Sequence, residues 1–153
     1  LISLYFASLE ATDEASRRVA ELENEALGAT APVVDASDPV AAILGDLIET
    51  EHLQDSSELA KLVEAELSAA AGERSRGVKQ APFVVLLGVR MPATLVEIGF
   101  LTHPDEEGEL RGAARKDAIA EALARAIVDF GRRYDARRGV PIRVDARPAS
   151  RAR

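Results

Sequence analysis

The sequence contains no cysteine. Disulfide cross-links and thiolate metal sites are therefore excluded, although the absence does not choose between a reducing cytoplasm and an oxidising envelope. Histidine is almost as scarce: His52 and His103 are the only two, they show no recognisable ligand spacing, and neither is assigned to a metal. No apolar run is long enough to span a bilayer, so no transmembrane segment is expected. Positive charge is also in deficit. Nineteen Lys and Arg against 26 Asp and Glu leave a formal charge of -7, the wrong sign for gripping phosphates over a whole surface, and no nucleic-acid partner is expected. Leu1 stands where a starting methionine would, with no charged-then-apolar leader before it, so the chain reads as a fragment or a processed piece. There is no internal repeat.

What is present fits one α/β domain. The chain has 153 residues and 47% hydrophobic content, enough for a single sizeable core. Residues 1–6 form a strand-like apolar run, and Thr12, Asp13 and Glu14 supply a cap and first-turn acids for a helix ending at Gly28. Ala15, Val19, Leu22 and Ala26 would be its inward face. Asp38 and Pro39 start a second helix whose stripe is Val40, Ile43, Leu44, Leu47 and Ile48. A third begins near residues 55–57, turns Leu59, Leu62, Val63 and Leu67 inward, and stops in the polar, glycine-flanked stretch 72–77.

Residues 83–87 and 94–98 are nearly continuous apolar runs of the kind buried in an α/β sheet. Their link is too short for an ordinary parallel crossover, so they are either not neighbours or antiparallel. Thr102, Pro104 and the acids at 105–107 open a short helical turn. Residues 113–134 then form a long helix with Ile119, Leu123, Ile127, Phe130 and Tyr134 on one side. Residues 137–153, rich in arginine, proline and alanine, read as a mobile basic tail.

One carboxylate interrupts the second apolar run. Glu97 sits within Thr94-Leu95-Val96-Glu97-Ile98-Gly99-Phe100-Leu101, and a buried unpaired carboxylate costs several kcal/mol in order of magnitude. It must be paired, protonated or turned to a cleft, as a structural ion-pair glutamate or as a catalytic one.

The segments around it, Gln80-Ala81-Pro82-Phe83-Val84-Val85-Leu86, Met91-Pro92-Ala93-Thr94-Leu95-Val96-Glu97-Ile98-Gly99-Phe100-Leu101-Thr102 and Pro104-Asp105-Glu106-Glu107, resemble the end of the zinc-dependent N-acetylmuramoyl-L-alanine amidases. In that family this motif carries the catalytic glutamate, which the resemblance places at Glu97. The sequence departs from the pattern at His103, where asparagine is usual. The likeness extends over residues 10–24 and 117–134 and implies a mixed sheet flanked by helices, incomplete at its amino-terminal side, over residues 1–136. The implied reaction is hydrolysis of the amide between N-acetylmuramic acid and the L-alanine of the peptidoglycan stem peptide, in the periplasm or cell envelope.

The family's zinc is held by two histidines and a glutamate upstream of the matched region. Leu1-Ile2-Ser3-Leu4-Tyr5 resembles the start of the strand bearing the second histidine, with Tyr5 in its place; alternatively Tyr5-Phe6-Ala7-Ser8 matches the following strand. On either alignment no zinc is expected in this chain alone, which would then be inactive. Residues 29–78 resemble the helical regulatory insertion of the Gram-negative division amidases, in which a helix covers the zinc until an activator protein displaces it. Here that helix would span residues 40–52, with Glu51 first and Glu49 second as the carboxylate that caps the metal, or with both as solvated helix-end acids. The competing reading is a non-catalytic remnant, or a module that binds an activator or peptidoglycan.

Overall fold

A computed structural model describes residues 2–29, 52–71, 75–87 and 89–140. The elements run β1 (Ile2–Ala7), α1 (Glu14–Ala26), α2 (Leu53–Ala71), β2 (Ser75–Ala81), a 3-10 turn (Val84–Leu86), β3 (Leu95–Glu97), α3 (Pro104–Arg111) and α4 (Ala113–Arg137). The sheet is three-stranded in the order β2-β1-β3. β2 runs parallel to β1, and β3 runs antiparallel to it with Ser3 opposite Glu97 and Tyr5 opposite Leu95.

β1 is central because both of its faces are apolar. Alternate side chains go to opposite faces, so Ile2 and Leu4 enter one core with Ala60, Val63 and Leu67 of α2 and Ile119, Ala122 and Ala126 of α4. Tyr5 enters the other core, with Ala20 of α1, Ala81, Phe83 and Leu86. Ala60, Ala122 and Ala126 are fully buried, and side chains this small let α2 and α4 approach closely. The ends of these helices are tied where Arg137 reaches Asp55 (2.8 Å) and Glu58 (2.7 Å).

α1 begins as its sequence suggests. Asp13 is the N-cap: the Ser16 N–H donates to its Oδ1 at 2.7 Å and Lys79 Nζ donates to its Oδ2 at 2.7 Å. The helix closes before Gly28, whose φ of +67° suits the turn. Its inward face is only partly the one expected: Val19 packs against the second core, but the rest of the stripe does not. Leu22 is 64% exposed and Ala15 and Ala26 are exposed, whereas Ser16, Ala20 and Asn24 are buried. Asn24 explains the rotation. Its Nδ2 donates to the Pro82 carbonyl at 2.9 Å and its Oδ1 accepts from the Val84 N–H at 2.8 Å, so a polar clamp outweighs the apolar stripe in setting the helix's orientation.

The same clamp corrects the expected strand at 83–87. Pro82 has no N–H for a ladder, Val84 gives its N–H to Asn24, and residues 84–86 wind into a 3-10 turn while Phe83 packs its ring 4.8 Å from that of Tyr5. The strand lies earlier, at Ser75–Ala81, inside the stretch read as a helix stop. The run at 94–98 does yield a strand, shorter than expected and half-buried. It is not adjacent to β2, since β1 lies between them.

Both long helices are placed as the periodicity indicates, but Ile127 of α4 is 58% exposed and Ala122 and Ala126 take the buried face instead. Within the expected insertion 29–78, α2 is a core helix and residues 75–78 belong to the sheet; residues 30–51, with the helix expected from Asp38 onward, lie outside the described residues. Arg137 belongs to α4 rather than to a tail, and residues 141–153 likewise lie outside the described ones. No described helix is long and apolar enough to cross a membrane.

Candidate functional site

Glu97 is the last residue of β3, paired with Ser3 across the sheet, so the two side chains share a face with Tyr5. Val96 points the other way, into the core beneath α2 and α4. Alternation thus holds the carboxylate on the face where α1 gives only partial cover. Glu97 is half-buried, and its Oε2 is buried with no hydrogen-bond partner. The Ser3 hydroxyl, in a residue 1% exposed, is also without one: it lies close enough to Glu97 to favour the carboxylate slightly, but not in hydrogen-bonding geometry.

The electrostatics follow from that placement. Burial holds the Glu97 pKa above the ordinary glutamate value, the carboxylate of Glu23 on α1 pushes in the same direction, and the Arg76 guanidinium and Ser3 hydroxyl oppose it. A carboxyl group so placed binds a proton more tightly than a solvated one and is correspondingly better suited to exchange it near neutral pH. Tyr5 is raised as well, first by burial and then by the charge of Glu97.

Arg76 reaches this face through an irregularity of β2. Ile2 is in register with Ser75 and Leu4 with Val78, so two residues, Arg76 and Gly77, lie opposite the single Ser3. Gly77 takes φ +82°, which glycine adopts without strain. The Arg76 guanidinium then lies 5.8 Å from the centroid of the Phe100 ring.

The chain after β3 is anchored from α3. Glu106 Oε2 accepts the Phe100 N–H at 2.9 Å, a bond that holds the Glu106 carboxyl below the usual glutamate range. Gly99 makes the contact possible: at φ +144°, an added Cβ would lie 3.1 Å from Leu110 Cδ1 and 3.2 Å from Glu106 Oε2. On the strand's other side Thr94 Oγ1 donates to the Tyr5 carbonyl at 2.8 Å and the Ala93 N–H to Ser56 Oγ at 3.0 Å.

Glu97 is thus set among groups that the sequence reading did not single out: Ser3, Glu23, Arg76 and, through Phe100, Glu106. Ser3 carried a signal, as a lone hydroxyl in an apolar strand. Arg76 carried none, because residues 72–77 look like a loop. Glu106 was read as a first-turn acid of a helix and as part of the family motif, but not as the anchor of the Phe100 N–H. Glu49 and Glu51 lie outside the described residues.

The zinc implied by the sequence resemblance finds no ligand set here. Among the described residues no three His, Asp or Glu side chains converge where a metal could bind, and the chain has no cysteine. His52 lies at the start of α2 with a buried, unpartnered Nδ1, while His103 is exposed at the N-cap of α3. Tyr5, which stands in the histidine's place on one alignment, is held toward the neutral phenol by burial and by Glu97.

Residues 9–129 match the model of a family described as N-acetylmuramoyl-L-alanine amidase. The chain is 33% identical over 93 residues to the N-acetylmuramoyl-L-alanine amidase AmiA of Escherichia coli (strain K12), covering 61% of this chain and 32% of that protein. It is 32% identical over 114 residues to the amidase AmiC of Neisseria meningitidis serogroup B, covering 74% and 27%. The crystal structure of an N-acetylmuramoyl-L-alanine amidase from Clostridium difficile 630 superposes with a TM-score of 0.54 at 20% identity, over 86% of this chain and 48% of that one, which is a likeness of fold. The chain therefore spans about a third or less of the length of these two relatives.

Proposed function

The chain belongs to the N-acetylmuramoyl-L-alanine amidase family, and we propose that it supplies the part of the catalytic domain that carries the proton-transfer residue, Glu97. The observation that carries this reading is the Glu97 carboxyl itself, half-buried at the end of β3 with its proton affinity raised by burial. The proposed reaction is hydrolysis of the amide joining N-acetylmuramic acid to the L-alanine of peptidoglycan. Glu97 takes a proton from the attacking water as its oxygen adds to the amide carbonyl carbon. It returns the proton to the amide nitrogen as the C–N bond breaks, leaving a carboxylate on the muramic acid and a free amine on alanine.

The described residues do not form a zinc site and take no metal step in the proposed reaction. Zinc, held by family ligands upstream of the matched region and not by this chain alone, is part of the reading on family grounds. So are a periplasmic or cell-envelope location, where peptidoglycan is found, and an activator protein acting through residues 40–52.

The bond cleaved is the test of this proposal. Digestion of purified peptidoglycan by the complete protein that carries this chain should release peptides with new alanine amino termini in equal number to new muramic acid carboxylates. New reducing sugar ends without alanine amines would mean a glycosidase and would refute it.

A further inference from the structure

Beside Glu97 stands Arg76, an exposed cation with no carboxylate at ion-pair distance among the described residues. Arg111, Arg125, Arg133 and Arg137 are each engaged by a carboxylate within 2.8 Å, whereas Arg18, Arg90, Arg132 and Arg138 make no such pair among the described residues. The Arg76 guanidinium makes no hydrogen bond or ion pair with any described residue, although the chain has 26 acidic residues. It is nonetheless oriented: the bulge opposite Ser3 projects it, and the ring of Phe100, whose backbone N–H donates to Glu106, lies beneath it. The loop that follows Glu97 therefore also positions Arg76, and an exposed planar fork kept in place over a ring suits bidentate binding of a carboxylate.

Spacing indicates which carboxylate. Glu97 is on β3 and Arg76 on β2, with β1 between them, so their backbones are about 10 Å apart, two strand spacings. An extended peptide advances about 3.4 Å per residue. A substrate amide at Glu97 thus brings the residue following alanine within reach of the Arg76 side chain. Resting on the amidase reading above, we propose that Arg76 is a specificity-determining residue that binds a free carboxylate on the stem-peptide residue next after the alanine.

The test uses the complete protein and two soluble substrates that differ in charge alone, N-acetylmuramoyl-L-alanyl-D-glutamate and its diamide. The parent protein should cleave the acid with a kcat/KM about tenfold higher, the difference lying mainly in KM. Arg76→Gln should abolish that preference, bringing kcat/KM for the acid down to that of the diamide measured with the same variant, while Arg76→Lys should retain part of it. Equal turnover of both substrates by the parent, or a preference that survives Arg76→Gln, would overturn the proposal. An equal loss on both substrates would also overturn it, since Arg76 would then act on Glu97 rather than on substrate. Failure of the parent to cleave either substrate would instead overturn the amidase reading, and this inference with it.

Discussion

Glu97 holds its carboxyl group where the fold gains nothing from the charge. Burial and the neighbouring Glu23 disfavour the ionised form, so the folded chain binds that proton more tightly than the unfolded chain does. Below the ordinary glutamate pKa both states are protonated and the group is neutral in its effect. As pH rises through the raised folded value, the buried charge destabilises the fold. Glu97→Gln should therefore raise Tm near pH 7, and the gain should shrink toward about pH 4. Thermal melts at the two pH values check it, and a Tm lowered by the substitution at both would mean that Glu97 is a structural ion-pair partner. The sequence allowed both readings of this residue; its Oε2, buried and unpartnered, is not held in the ion pair that the structural reading would require.

At the scale of elements, periodicity located the helices better than it oriented them. The run after residue 112 and the one around residues 55–71 became α4 and α2, because long amphipathic segments carry many redundant signals. Which face turns inward was settled by contacts that periodicity does not register. Ala122 and Ala126 displaced Ile127 because α4 approaches α2 closely, and Asn24 turned α1 away from its own leucine. β2 was missed for a related reason: Ser75, Arg76, Lys79 and Gln80 have no apolar alternation, and their strand state comes from pairing with the strongly apolar β1. The close helix contact has a measurable consequence. Ala126→Leu, at a site with no exposure, should destabilise the fold by about 1–3 kcal/mol through overpacking. Urea denaturation would show it, and an unchanged midpoint would mean that α2 and α4 are loosely packed.

For the molecule as a whole, the legible and the illegible parts divide along sequence distance. The motif containing Glu97 is contiguous, so it and the family could be read directly from residues 91–107. The surroundings of Glu97 come from Ser3, Glu23 and Arg76, which are distant in sequence and meet only when β1 is placed between β2 and β3. Against the -7 charge of the chain, Arg76 is a cation set next to the Glu97 carboxyl. The net negative charge also accounts for the structural use made of other arginines, such as Arg137 between Asp55 and Glu58.

The central claim, that Glu97 moves the proton in amide cleavage, is tested most directly by the turnover of Glu97→Gln in the complete protein. With its far-ultraviolet circular dichroism and zinc content matching the parent, the variant should cleave peptidoglycan at least about a hundredfold more slowly. Turnover within a fewfold of the parent would contradict the account and return Glu97 to a structural role.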